Sequence, residues 1–164
     1  RRENWGEKLY SISRGIRKIL DNFPETLLVL PMHPNEKVRK PLKEILGNHK
    51  QAFLLEPFSY DKLVYAIKNC FFIITDSGGI QEEAPALGKP VLVTRNVTER
   101  EEAIEAGTSQ LVGTEENEIF NAAKNLLIDK SKYNSMAKSI NPFGDGKSTI
   151  RIFELICKRL NIER

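Results

Sequence analysis

Apolar residues along this chain fall into two alternating rhythms. Leu9, Ile12, Ile16, Ile19 and Leu20 recur at three- and four-residue spacing, which places them on one face of a helix. Residues 26–30 then form a short apolar run closed by Pro31, the pattern of a strand buried on both faces. The alternation continues. A helix is expected after Asn35, stopped at Gly47. Residues 52–55 read as a strand, and Ser59 is placed to cap a helix carrying Leu63, Ala66 and Ile67 on one side. Residues 71–74 form a third strand, and a turn over residues 76–83 leads into the next helix. Residues 90–94 and 109–112 read as strands on either side of a helix that runs to Ala106 and stops at Gly107. Ile119, Phe120, Ala123, Leu126 and Leu127 mark another helix, and Ile150, Phe153, Ile156 and Leu160 a long last one.

Strand-then-helix order with continuous rather than alternating apolar strands predicts an α/β fold, a parallel sheet covered by helices on both faces. Ligands of such sheets bind at the carboxyl ends of the strands. The unusual polar segments of this chain all fall there. They are residues 32–35, 56–59, 75–79 and 95–100, one after each of the first four strands. Four loops converging on one edge favour a binding site over a set of unrelated turns.

The most informative loop is Thr75-Asp76-Ser77-Gly78-Gly79-Ile80-Gln81-Glu82-Glu83. Strand, glycine turn and helix follow in that order, so backbone N–H groups at the positive end of a helix are presented to solvent. Two adjacent glycines let the backbone approach an anion with no Cβ in the way. Glu82 and Glu83 fall in or just after the first helical turn, within reach of sugar hydroxyls. A nucleotide or sugar-phosphate site fits this order. An ordinary strand-to-helix turn fits the local sequence equally well.

Composition narrows the classes. The chain has 164 residues, enough for one globular domain with a real core. Its net charge of +3, spread over interspersed residues of both signs, gives no nucleic-acid footprint. No apolar run approaches the roughly 20 residues of a membrane span, and no signal peptide opens the chain. Cys70 and Cys157 sit in apolar surroundings without CxxC spacing, which reads as core thiols in a reducing compartment. The two histidines and two cysteines are scattered, so no metal site and no cofactor is expected.

Individual loop residues carry further chemistry. Arg100 is expected in the first turn of its helix, with Thr98 and Glu101 spaced as a capping box. An arginine at a strand's carboxyl end has the donor fork to clamp a diphosphate. His33, between Met32 and Pro34, could donate to a phosphate or hydroxyl, and is equally readable as a plain loop residue. His49 reads as surface, and Asp145 as a turn or cap residue in Gly144-Asp145-Gly146.

Taken together the motifs resemble the C-terminal half of the non-hydrolysing UDP-N-acetylglucosamine 2-epimerases. The resemblance rests on Arg1-Arg2-Glu3-Asn4-Trp5-Gly6, Pro31-Met32-His33-Pro34-Asn35, Glu56-Pro57 with Tyr60, and the run from Thr75 through Pro85. It continues through Leu87-Gly88-Lys89-Pro90-Val91-Leu92, Thr98-Glu99-Arg100, Glu105-Ala106-Gly107 and Asn141-Pro142-Phe143-Gly144-Asp145-Gly146. It implies a Rossmann-like three-layer αβα domain over residues 1–164, one half of a two-domain GT-B fold whose N-terminal catalytic half is absent. The implied reaction interconverts UDP-GlcNAc and UDP-ManNAc. UDP is eliminated to a 2-acetamidoglucal and re-added with inversion at C2.

By motif, Ser77, Gly78, Gly79 and Arg100 would hold the UDP phosphates, Glu83 the ribose, and Pro57 and Leu63 would border the uracil. Arg1 and His33 match positions implicated in allosteric UDP-GlcNAc binding in some bacterial members. The family's catalytic carboxylates belong to the other half, so the resemblance implies no complete catalytic set and an inactive fragment. It also implies a cytoplasmic, homodimeric full-length enzyme feeding cell-envelope polysaccharide synthesis. The chain departs from the family in opening after the histidine that precedes Arg-Arg-Glu. It also carries Glu101 where proline is usual. The nucleotide domain of a GT-B glycosyltransferase and a non-catalytic UDP-sugar sensor are the competing readings.

Overall fold

The computed structural model of the chain describes residues 2–160. A single 3₁₀ turn, Arg2–Asn4, leads into α1, Glu7–Asn22. Strand and helix then alternate: β1 Leu28–Pro31, α2 Glu36–Leu46, β2 Ala52–Leu55, α3 Tyr60–Asn69, β3 Ile73–Thr75 and α4 Gly78–Ala86. There follow β4 Val91–Val93, α5 Glu101–Glu105, β5 Ser109–Leu111, α6 Glu116–Ile128, α7 Lys130–Ala137 and α8 Ser148–Leu160. The expected αβα alternation is present. The helix marked by residues 119–127 ends at Ile128, and a separate helix, α7, follows it. The break falls at Asp129, whose side chain accepts from the N–H groups of Ser131 and Lys132 and so starts a new helix.

All strand pairs are parallel, as the sequence predicts, but they do not form one continuous sheet. β1 pairs with β2, and β3 pairs with β4, which pairs with β5. No backbone hydrogen bond among the described residues joins β1 to β3.

Two apolar cores lie on opposite faces of β3–β4–β5. One gathers Ile12, Ile16, Ile19 and Leu20 of α1 with Leu42 and Leu46 of α2, Ile119 and Leu126 of α6, and Leu92 of β4. Leu28, Leu30 and Ile74 pack against it from both sheet pieces. The other joins Ile67 of α3 and Ala84 of α4 to Val91 and Val93, with Leu63, Ile73 and Ile80 at its margin. Gly15 permits the close crossing of α1 and α6: a Cβ there would come within 2.9 Å of the Glu116 carbonyl oxygen. Burying a Leu or Ile side chain contributes roughly 1.5–3 kcal/mol, so this core dominates the stability of the domain.

Burial differs from the expectation of helices on both faces. β4 is wholly buried, with Val91, Leu92 and Val93 at 0% exposure. On β1 and β2, by contrast, Val29 and Phe53 are 52% and 47% exposed. α8 also stands clear of the body. Its apolar residues Ile150, Phe153, Ile156 and Leu160 are exposed, and only Cys157 is buried. Cys70 and Cys157 are free thiols, and burial pushes the Cys70 thiol pKa up.

Candidate functional site

The glycine turn lies at the carboxyl end of β3, where the sequence places it. Thr75 fixes its start: its Oγ1 accepts from the Ser77 N–H at 3.1 Å. Ser77 is the N-cap of α4 in an extended conformation, and no side chain caps the helix. The first N–H groups of a helix have no intrahelical partner, so those of Gly78 and Gly79 are left to a ligand. Nothing in the chain itself demands glycine at position 79. A Cβ there would meet only Glu83 Oε1 at 3.9 Å and Ser77 Oγ at 4.0 Å, ordinary contacts. Space at that point is space for a bound group.

Glu83 closes the turn from the second turn of α4. Its Oε1 lies beside Gly79, and its Oε2 is buried with no hydrogen-bond partner among the described residues. A buried carboxylate oxygen without a donor costs about 1–3 kcal/mol or more, so such atoms in folded proteins have a purpose. Two hydroxyl groups of a sugar are donors of the right kind and number for this carboxylate.

Gln81 ties this helix to the next loop. It is buried, donates through Nε2 to the Ser77 carbonyl at 3.2 Å, and accepts from Thr98 Oγ1 at 2.7 Å. Thr98 Oγ1 in turn accepts from the Arg100 N–H at 3.1 Å. The expected Thr98–Glu101 capping box therefore does not form. α5 begins at Glu101, Arg100 itself occupies the N-cap, and the Thr98 hydroxyl is engaged by Gln81.

Glu82 is paired within the chain. Its Oε1 accepts from Arg100 Nε at 2.5 Å, an ion pair that ties the guanidinium to α4. Ser77, Gly79 and Glu83 thus lie together at the start of α4, and Arg100 is tied to the same helix through Glu82.

Behind them lies a second polar layer that the sequence does not announce. Asn4 is buried and donates through Nδ2 to Asp76 Oδ2 at 3.1 Å and to the Thr94 carbonyl at 3.0 Å. Arg95 is buried and binds Glu99 through both terminal nitrogens, at 2.8 and 3.0 Å, and Glu3 through Nε at 3.0 Å. These bonds, with Glu99 first, hold the Arg95 pKa above its ordinary value. Glu3, Asn4, Lys8, Arg95 and Thr114 line a recess of about 300 Å³. Only long-range pairing, across some 90 residues of sequence, identifies this layer.

The remaining loops stand at the β1–β2 end. His33 is exposed, and its Nδ1 accepts from the Asn35 N–H at 3.2 Å. Arg39 binds Glu56 in a two-pronged ion pair, at 2.9 and 2.6 Å, and donates through Nε to the His33 carbonyl. This pair holds the Glu56 carboxyl below its usual range, through the Arg39 hydrogen bond first. Pro57 is exposed at the end of β2, and Leu63 is half-buried against the α3–α4 core. Arg1 lies outside the described residues.

Two smaller expectations are corrected. His49 is not free at the surface: its ring is largely covered, with Nε2 at 3.2 Å from Asp21 Oδ1. Ser59 holds the N-cap position of α3 without a side-chain capping bond, its hydroxyl being drawn to Asp61. Asp145 does act in its turn, accepting from the Lys147 N–H and pairing with Arg151. No cluster suited to a metal ion occurs among the described residues.

The chain is similar to several known proteins. A family model, UDP-N-acetylglucosamine 2-epimerase, matches residues 1–157. The UDP-N-acetylglucosamine 2-epimerase of Campylobacter jejuni is 44% identical over 163 residues, 99% of this chain and 43% of that protein. The enzyme of the same name from Escherichia coli K12 is 43% identical over 156 residues, 95% of this chain and 42% of that protein. Among solved structures, the S. aureus MnaA–UDP co-structure superposes with a TM-score of 0.94 at 44% identity, covering 99% of this chain and 45% of that one. The UDP-GlcNAc 2-epimerase from Neisseria meningitidis bound to UDP-GlcNAc gives 0.92 at 42% identity, covering 96% and 43%. The chain spans less than half the length of the relatives it matches. Its strands, its glycine turn and its match over nearly its whole length make it a member of the UDP-N-acetylglucosamine 2-epimerase family.

Proposed function

We propose that residues 1–164 form the UDP-binding C-terminal domain of an enzyme that interconverts UDP-GlcNAc and UDP-ManNAc. The observation that carries this is Glu83: a buried carboxylate oxygen without a donor, set against the phosphate-binding turn at Ser77–Gly79. In this reading the N–H groups of Gly78 and Gly79 and the Ser77 hydroxyl hold the phosphates. Arg100 faces the diphosphate, and Glu83 accepts from both ribose hydroxyls. Pro57 and Leu63 border the uracil. Solved relatives described as bound to UDP or UDP-GlcNAc support the ligand class.

The fragment's part in the chemistry is to bind and orient UDP. UDP leaves during the elimination step and is held for re-addition, so donors that bind the diphosphate also stabilise the charge it gains on leaving. Moving the C2 proton requires an acid and a base within hydrogen-bond reach of the sugar. The polar groups of this edge are committed to the nucleotide, and the carboxylates for that step are assigned to the other half of the parent protein. The fragment alone is therefore inactive. His33, and Arg1 with it, would serve a second UDP-GlcNAc as activator. A homodimeric, cytoplasmic parent is part of the same reading, carried by the resemblance and by the free thiols.

A proton NMR assay tests the proposal. The longer protein expressed from the parent gene forms UDP-ManNAc from UDP-GlcNAc, Arg100→Ala in it slows the reaction, and the present chain alone forms none. Binding of UDP by the longer protein without any turnover would support the sensor reading instead. Turnover by the fragment alone would overturn the assignment of the reacting groups.

A further inference from the structure

Two side chains hold Ser77 from within the chain. Thr75 Oγ1 accepts from its N–H at 3.1 Å, and Gln81 Nε2 donates to its carbonyl at 3.2 Å. The main-chain bond from the Gln81 N–H to the same carbonyl is 3.3 Å, long for an N–H···O bond. The side-chain amide is thus a second hold on a carbonyl that the helix alone grips weakly. The peptide joining Ser77 to Gly78 is trans, so its C=O and N–H point in opposite directions. Turning the Ser77 carbonyl toward Gln81 therefore turns the Gly78 N–H outward, off the N-terminal end of α4. Glycine on one side leaves this peptide otherwise easy to rotate.

The Gln81 amide can sit only one way round. A carbonyl accepts and cannot donate, so the amide nitrogen faces Ser77 and Oε1 is left to accept from Thr98 Oγ1, at 2.7 Å. That spends the Thr98 proton on Gln81, and the Thr98 oxygen accepts from the Arg100 N–H at 3.1 Å. The bonds run in one direction, from the Arg100 main chain through Thr98 and Gln81 to Ser77. The next residue of α4, Glu82, takes the Arg100 guanidinium. Adjacent residues of one helix therefore hold the backbone and the side chain of Arg100. Gln81 has 0% exposure, so it touches no ligand and acts through what it holds. A buried, satisfied amide adds little stability over an apolar residue of its shape.

We propose that Gln81 is a positioning residue of the diphosphate site: through Ser77 it aims the Gly78 N–H, and through Thr98 it fixes the Arg100 backbone relative to that N–H, so that the phosphate contacts act as one clamp. The inference rests on the reading that the glycine turn and Arg100 hold the UDP phosphates. Gln81 then sets how much the phosphates add to the affinity for a nucleoside, while the ribose contact at Glu83 is independent of it.

The test is an NMR titration of the present chain with UDP and with uridine, beside urea denaturation. Gln81→Met keeps the length of the side chain and removes both of its bonds. It is expected to bind UDP about tenfold more weakly, the worth of one or two buried hydrogen bonds, and uridine within about twofold of the unaltered chain. Both ligands meet the same folded fraction, so the ratio of their affinities is insensitive to a loss of stability. Combining Gln81→Met with Thr98→Val puts apolar groups on both sides of the lost bond and should recover stability, because such a pair replaces a hydrogen-bonded one at little cost. Its UDP affinity should stay low. Thr98→Ser keeps the hydroxyl and should bind UDP as the unaltered chain does. UDP binding that recovers together with stability in the combined variant would overturn the proposal. So would equal losses for UDP and uridine in Gln81→Met, or an unchanged UDP affinity there. Should the unaltered chain bind UDP no more tightly than uridine, the phosphate reading of the turn fails first, and this inference with it.

Discussion

The two sheet pieces are made of the same kind of apolar strand, yet they live in different surroundings. β3–β4–β5 carries a packed core on each face and presents the glycine turn, Arg100 and Glu83 at its carboxyl edge. β1–β2 has one packed face and one open face, and its loops, with His33 and Pro57, are tied to each other through Arg39 and Glu56. The residues proposed to bind the phosphates and ribose lie on the piece that is packed on both faces. A site that must hold donors to within a fraction of an ångström is built on the elements whose positions are over-determined.

The largest effect expected from this contrast is on stability. Leu92→Ala, in the buried centre of β4, should cost about 2–5 kcal/mol in urea denaturation. Phe53→Ala, half-exposed on β2, should cost only about 1 kcal/mol. Equal losses would mean that the open face of β1–β2 is covered in solution.

Next comes the ligand. Glu83→Ala should weaken UDP binding by about 1.5–3 kcal/mol, the worth of a hydrogen bond to a charged group. The fold should remain, since Glu83 Oε2 has no hydrogen-bond partner among the described residues. A variant that bound UDP unchanged would remove Glu83 from the ribose site.

A smaller effect separates phosphate from ribose. Glu82→Ala releases Arg100 from its ion pair and should weaken UDP by about 1 kcal/mol. Binding of uridine, which has no phosphates, should not change. Equal losses for both ligands would mean that Glu82 acts on the fold of α4 rather than on Arg100.

Much of this was legible in the sequence, and the failures have physical causes. The alternation of strands and helices and the position of the glycine turn follow from apolar runs and turn chemistry, which are local; the choice of Glu83 over Glu82 came only with the family resemblance. Gln81 and Glu82 could not be read in that way. Both look like solvent-facing residues of a helix, and their partners, Thr98 and Arg100, lie 17 and 18 residues away. The Thr98 capping box failed because α5 starts later than expected: Arg100 is its N-cap, and the Thr98 oxygen accepts from the Arg100 N–H instead. The break in the sheet was invisible because an apolar run shows that a strand is buried but not which strands lie beside it. Asn4 and Arg95 became visible only when the fold closed over 90 residues of chain.

The smallest expected effect is on pH. Arg39 holds the Glu56 pKa below its ordinary 4.5, so the pair adds stability above that value and loses it as the pH falls through the depressed folded-state pKa. The Arg39 NMR signals should therefore shift only below pH 4.5, while those of the Gly78 and Gly79 amides hold. Simultaneous shifts at both ends would join what the contrast separates.

The most direct test of the central claim is a calorimetric titration of the present chain with UDP, with AMP and GMP as controls. The account predicts weak but saturable UDP binding, well below that of the longer protein, with AMP and GMP much weaker still and the UDP signal diminished in Glu83→Ala. Absence of any UDP binding at millimolar concentration, or equal binding of all three nucleotides, would contradict a preformed uridine-diphosphate site on this domain.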